Sequence, residues 1–321
     1  MKAIIVLTFC LIVSLTTACH EGSTRASRNE PTTEMGEVSK DYGSPVHLGE
    51  LEDKALDESS GIVASRRNPN LFWTHNDSGD GPFLYAFDRT GGKRGTWRVT
   101  GADALDWEDI AAGPGPQKGQ SYLYVGDIGD NGKERREIIV YRVAEPAVTA
   151  DDADSNRIEP HQTEPAEAIH LRYPDGRHDA EALAVHPMTG DLYVITKTRS
   201  VSAAASVYKL AAPFSTSAIN RLEKVGEISV PSLLPGMITG GDISPDGTKL
   251  ILCDYFNAYE ASLPENSRGS FDGIWKQSPV VVRLGAREQG EAICYRLDGR
   301  AILAISEGKH SDLIEVERVK K

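Results

Sequence analysis

The chain has 321 residues, 40% of them hydrophobic and 26% charged, which excludes wholesale disorder and allows a sizeable core. Its 47 acidic residues outnumber 35 basic ones, for a formal net charge of −12. That balance argues against a nucleic-acid backbone as partner, without excluding a local basic patch, and no second long apolar run follows the N-terminal one, which excludes a membrane bundle.

From the N-terminus, Lys2 precedes an apolar run at 3–15, and Thr16-Thr17-Ala18-Cys19 supplies small residues at a cleavage point. The run is too short to cross a bilayer, which takes about 20 residues. It resembles a bacterial lipoprotein signal, with Thr16 where Leu is usual. The resemblance implies removal of residues 1–18 and a lipid on Cys19 that anchors the chain to a bacterial membrane. Cleavage after Ala18 to give a soluble secreted protein is the alternative; both readings put the mature chain outside the cytoplasm. Cys10 would be lost and Cys19 lipidated, leaving Cys253 and Cys294 as either a bridge or two buried thiols. Residues 19–45 are rich in Ser, Thr, Glu, Gly and Pro without hydrophobic period and read as a flexible tether. The folded domain is expected over 46–321.

One segment then recurs five times: ESSGIV at 58–63, DWEDIA at 106–111, DAEALA at 179–184, TGGDIS at 239–244 and QGEAIC at 289–294. Each opens a short strand, meets a turn such as Asn68-Pro69-Asn70 or Asp246-Gly247, and leads to a second apolar strand. The spacing suits blades of about 40–50 residues with insertions at 149–165 and 200–206. Helical periodicity is lacking. The fold expected is all-β, a five-bladed β-propeller of four-stranded antiparallel blades. Too few residues follow the last repeat for four strands, so the strand at 46–51 is expected to supply the outer strand of the last blade and close the ring.

In such a ring the start of the first strand and the end of the second share one face. Starts of first strands bring Ser60, Asp106, Glu108, Asp179, Glu181, Thr239 and Glu291 there. Glu108, Glu181 and Glu291 occupy equivalent positions in three blades. Carboxylates about 5 Å apart repel by roughly 3 kcal/mol per pair at an effective dielectric near 20, so a cation, protonation or a basic side chain must offset them. A hard cation with oxygen ligands is the simplest solution, and Ca²⁺ tolerates irregular geometry. Hydrogen bonds to backbone amides or Arg partners are the structural alternative. The His and Cys residues lack zinc-ligand spacing. Ends of second strands add His75, Asn76, Asp77, Asp127, Asp130, Asn131, Lys197, Arg199, Asp254, Tyr255, Glu307 and Lys309. Asp127-Ile128-Gly129-Asp130-Asn131-Gly132 resembles part of a calcium loop and equally a Gly/Asn/Asp turn.

The repeat resembles that of secreted bacterial β-propeller lipoproteins, and Ser244-Pro245-Asp246-Gly247-Thr248-Lys249 is similar to TolB-type repeats, a likeness of fold only. The axial residues resemble those of the calcium-activated nucleotidases, or soluble apyrases. Ser60, Glu108, Glu181 and Glu291 match that family's Ser, Glu, Glu and Glu, while Thr239-Gly240-Gly241 stands where a Ser is expected. The resemblance implies an axial Ca²⁺ held by Ser60, Glu108, Glu181, Thr239 and Glu291.

The function expected is metal-dependent hydrolysis of an extracytoplasmic phosphate ester such as a nucleotide. Asp106, Asp127 or Asp179 would accept a proton. His75, Asn76, Lys197, Arg199 and Lys309 would bind an anionic small-molecule substrate. A calcium-stabilised binding or scaffold propeller and a glycan hydrolase using paired carboxylates are the alternatives.

Overall fold

The computed structural model describes residues 36–265, 270–287 and 289–319. Residues 1–35, with the signal, Cys19 and the first part of the tether, lie outside the described residues.

Alternating apolar strands and Gly- or Asn-bearing turns build five antiparallel sheets in chain order. Blade one comprises Ser59–Ala64, Leu71–Asn76, Phe83–Asp88 and Lys93–Arg98. Blade two comprises Trp107–Pro114, Ser121–Asp127, Ile138–Ala144 and Glu167–Arg172. Blade three comprises Ala180–Val185, Leu192–Thr196, Ala205–Leu210 and Glu223–Ile228. Blade four comprises Gly240–Ile243, Lys249–Cys253, Asn257–Ser262 and Val280–Arg283. Blade five has Gly290–Tyr295, Ala301–Ser306 and Asp312–Glu317, and Val46–Glu50 pairs antiparallel with Asp312–Glu317 as its fourth strand. The first strand of every blade packs against the first strands of both neighbours, which closes the ring around an axis. The five-bladed propeller and its N-terminal closing strand are therefore as the repeat implies. Blades one and two each gain a short fifth strand, His161–Gln162 and Asn220–Arg221, donated by an insertion in the following blade.

The apolar core is divided among the five seams rather than gathered at the axis. Trp73, Trp97 and Trp107 fill the seam of blades one and two, and Tyr193, Tyr259, Phe271 and Trp275 that of blades three and four. Cys253 and Cys294 are free and buried among the apolar side chains of the last two seams. The described chain already lies against the propeller before Val46: Val38 bridges to Val281 and Tyr42 to Arg318. There the buried Glu260 carboxylate accepts from Tyr42 Oη at 2.8 Å and Tyr295 Oη at 2.7 Å and pairs with Arg318.

Polar side chains stitch the first strands together. Asp109 in blade two accepts from the backbone N–H of Leu183 in blade three at 2.8 Å and of Gly241 in blade four at 3.3 Å. Asp242 repeats the device, accepting from Tyr295 N–H in blade five at 2.9 Å. Ser60 Oγ donates to the Glu108 carbonyl at 2.7 Å, and Thr239 Oγ1 to the Gly290 carbonyl at 2.9 Å.

Asp109→Ala leaves the Leu183 and Gly241 amides buried without an acceptor. Denaturant unfolding is expected to show a loss of about 2–4 kcal/mol. A loss below about 1 kcal/mol would mean that Asp109 does not join three blades.

Candidate metal centre

In blade one the pairing of the first two strands slips between Ser59 and Gly61, in blade two between Trp107 and Asp109, in blade three between Ala180 and Ala182, and in blade five between Gly290 and Ala292. The residue left over each time is Ser60, Glu108, Glu181 or Glu291. A bulge frees one residue from the ladder and re-aims its side chain. Blade four pairs regularly and has Gly241 at the corresponding place. The repeat thus carries a backbone irregularity as well as a residue type.

Carboxylates gather most tightly toward blades one to three. Oxygens of Asp77, Asp106 and Glu108 lie within 4.8 Å of one another, as do oxygens of Glu108, Asp179 and Glu181, so Glu108 belongs to both groups. Glu108, Asp179 and Glu181 are buried, whereas Asp77 and Asp106 are half-buried toward solvent. Asp77 was legible only as the residue that follows a second strand. Asp130 donates its backbone N–H to Asp179 Oδ1 at 2.9 Å, which fixes that carboxylate. Gly129 lies directly against the cluster: a Cβ there would fall 2.2 Å from Glu108 Oε1 and 2.5 Å from Asp106 Oδ2. Only glycine lets both carboxylates sit in this cradle. The segment around it also forms a capped turn, with Asp130 accepting from the N–H groups of Glu134 and Arg135.

Positive charge is scarce inside the cluster. Lys197 reaches in from the end of blade three's second strand and pairs with Glu181, both side chains being buried. Its ammonium also donates to Tyr255 Oη at 3.2 Å. Burial opposes the charge, but Glu181 and Glu291 hold Lys197 above its usual range. Burial pushes Glu181 up to about 7 despite Lys197. Burial and then Glu181 push Glu291 up to about 8. Burial, with Asp77 next, raises Asp106 to about 6. Burial followed by Glu181, Asp77 and Asp106 lifts Glu108 well above the carboxylate range.

The remaining sequence-derived candidates are dispersed. Asp127 pairs with Arg135 at 2.6 Å and accepts from the N–H groups of Leu105 and Asp106, so it orients the loop carrying Asp106. His75 is buried edge-on to Trp107, its Nδ1 2.9 Å from the Asn76 carbonyl, and burial lowers it to about 4. Asn76 ties down residues 55–58 through Ala55 O, Asp57 N and Glu58 N. Arg199 and Lys309 are exposed, and Arg199 donates to Asn131 Oδ1 at 3.1 Å. The hydroxyls of Ser60 and Thr239 are engaged with main-chain carbonyls of the next blade, as described above.

An all-oxygen set of this kind suits a hard cation rather than zinc or a soft metal. Asp77, Asp106, Glu108, Asp179 and Glu181 are the residues placed to hold one.

No family model and no curated protein matches the chain. Among solved structures it is similar to two glucose dehydrogenases. One is 10% identical, with 85% of this chain and 99% of that chain covered and a TM-score of 0.43. The other is 9% identical, with 87% and 100% covered and a TM-score of 0.44.

The raised carboxylates give stability a sign with pH. Glu181 and Glu291 titrate near 7 and 8 in the fold against an ordinary 4.5, so between those limits the folded state binds more protons than the unfolded chain. Stability falls as pH rises through that range. His75, lowered to about 4 from 6.5, acts oppositely, but only up to 6.5. In chelator the melting temperature is therefore expected to fall by several degrees between pH 6.5 and 8. A melting temperature that rises over that window would exclude an undercompensated acid cluster.

Proposed function

We propose that this chain is an extracytoplasmic propeller, anchored through a lipid on Cys19, that binds Ca²⁺ at the acidic end of its axis and hydrolyses phosphate esters there. The observation that carries the reading is the shared position of Glu108 in two carboxylate groups, in a volume where, among the described residues, Lys197 is the buried ammonium paired with a member of them. Asp77, Glu108, Asp179 and Glu181 would hold the ion, with Asp106 at the solvent side left as the base. This set leans toward blades one to three and departs from the calcium-activated nucleotidases, whose Ser ligands have counterparts here, Ser60 and Thr239, that donate to backbone carbonyls.

A bound Ca²⁺ supplies Lewis acidity toward a phosphoryl oxygen and a template for water. The chain's own residues do the rest. Asp106, half-buried at the solvent side, accepts a proton at a carboxylate oxygen. Arg199, exposed beside Asn131, offsets substrate charge at the mouth. Asp127 holds the Asp106 loop in place through its two amide contacts. Blade packing keeps bulk water from the inner carboxylates.

A second reading is an ion-stabilised binding propeller without turnover. It is favoured by the prior commitments of Lys197 to Glu181 and of Asp127 to Arg135, which leave few cations for an anionic substrate.

Metal analysis of the purified mature chain is expected to find about one calcium per molecule, with a lower melting temperature in chelator. A nucleotide and phosphoester panel should give calcium-dependent phosphate release, reduced roughly 10²-fold or more by Asp106→Asn and more weakly by Arg199→Ala. Calcium without phosphate release would select the binding propeller. Melting indifferent to both calcium and chelator would sink both readings.

A further inference from the structure

We propose that Lys197 is a tethered counter-ion that sets the calcium affinity of the axial site, yielding Glu181 to the incoming ion and moving toward Glu291 and Tyr255. This rests on the cation-binding reading above.

Lys197 is not an ordinary surface lysine. Its side chain is 3% exposed and the paired Glu181 side chain 5%. Glu181 is also a member of the group formed with Glu108 and Asp179, so one carboxylate is shared between an ammonium and a set of oxygens close enough together to hold a divalent ion. Two cations on one carboxylate repel strongly in a poorly hydrated volume. Loading the ion therefore requires the ammonium to withdraw.

The surroundings provide somewhere for it to go. Tyr255, from the loop after blade four's second strand, has its hydroxyl 3.2 Å from Nζ and its ring centroid 5.2 Å away. The ring face and hydroxyl together stabilise a cation. Glu291, from blade five, is the second carboxylate whose charge acts on Lys197. A four-carbon stem with three rotatable donors can exchange partners without moving the backbone. Lys197 thus links Glu181 of blade three to Tyr255 of blade four. By linkage, whatever holds the ammonium on Glu181 weakens calcium binding by the same factor.

The test is calorimetric titration of calcium chloride into the purified mature chain, comparing wild type with Lys197→Met and Lys197→Arg. Removing the charge is expected to tighten calcium binding about tenfold or more, whereas arginine, which keeps it, stays close to wild type. The melting temperature of Lys197→Met should be lower than wild type in chelator and rise further on adding calcium. Wild type binding calcium with Lys197→Met no tighter overturns the counter-ion role alone, as does equal tightening by Lys197→Arg. Absence of calcium binding in wild type and Lys197→Met alike overturns the cation-binding reading and this one with it. If Lys197→Met is unfolded in chelator, Lys197→Gln replaces it, and refolding of either variant by calcium, followed by circular dichroism, counts as tighter binding; failure to refold counts against the role.

Discussion

Closing a ring of five sheets drives acidic side chains from distant parts of the chain into one poorly hydrated volume that holds too little positive charge to match them. Everything specific to this molecule follows from how that charge is managed. The apolar seams supply the driving force for closure, since each buries large aromatic side chains between adjacent blades. Against it stand Glu108, Glu181 and Glu291, displaced toward the axis by bulges, with Asp77, Asp106 and Asp179 beside them. Lys197 compensates part of this charge, and protons held by the raised carboxylates compensate more.

Two kinds of axial acid have to be kept apart. Asp109 and Asp242 lie one residue before Ile110 and Ile243, the apolar anchors of their strands, and their oxygens are used by backbone amides of neighbouring blades. They are fasteners. Glu108 and Glu181 lie two residues before the anchor, at bulges, and face other carboxylates instead of amides. A shift of one position along the same strand therefore separates a residue that holds the ring shut from one available to a ligand. Asp109 and Glu108 are both buried and both have raised affinity for protons, so titration behaviour alone does not distinguish them.

The repeat made much of the architecture legible. Apolar anchors at Ile62, Ile110, Leu183, Ile243 and Ile293 fall on the first strands of the five blades, and the lone strand before the first repeat closes the fifth. The convergence of Glu108 and Glu181 follows from their equivalent positions. What spacing does not encode is register. The bulges, the engagement of the Ser60 and Thr239 hydroxyls by backbone carbonyls, and the fit of Gly129 against two carboxylates depend on backbone placement to within an ångström. Lys197 was legible as a cation on the acidic face, but its pairing with Glu181 depends on the length and direction of a flexible side chain. The contacts of residues 36–45 with blades four and five were hidden by a composition that reads as linker.

The closing strand also dictates an order of events. Val46–Glu50 has its partner in Asp312–Glu317, at the other end of the chain. The earliest-made strand of the propeller must therefore wait, its edge unpaired, until the last has been synthesised. The four main strands of each of blades one to four can assemble from contiguous sequence, but the circle cannot lock before the strand Asp312–Glu317 arrives. The acidic volume at the axis would come into being only then.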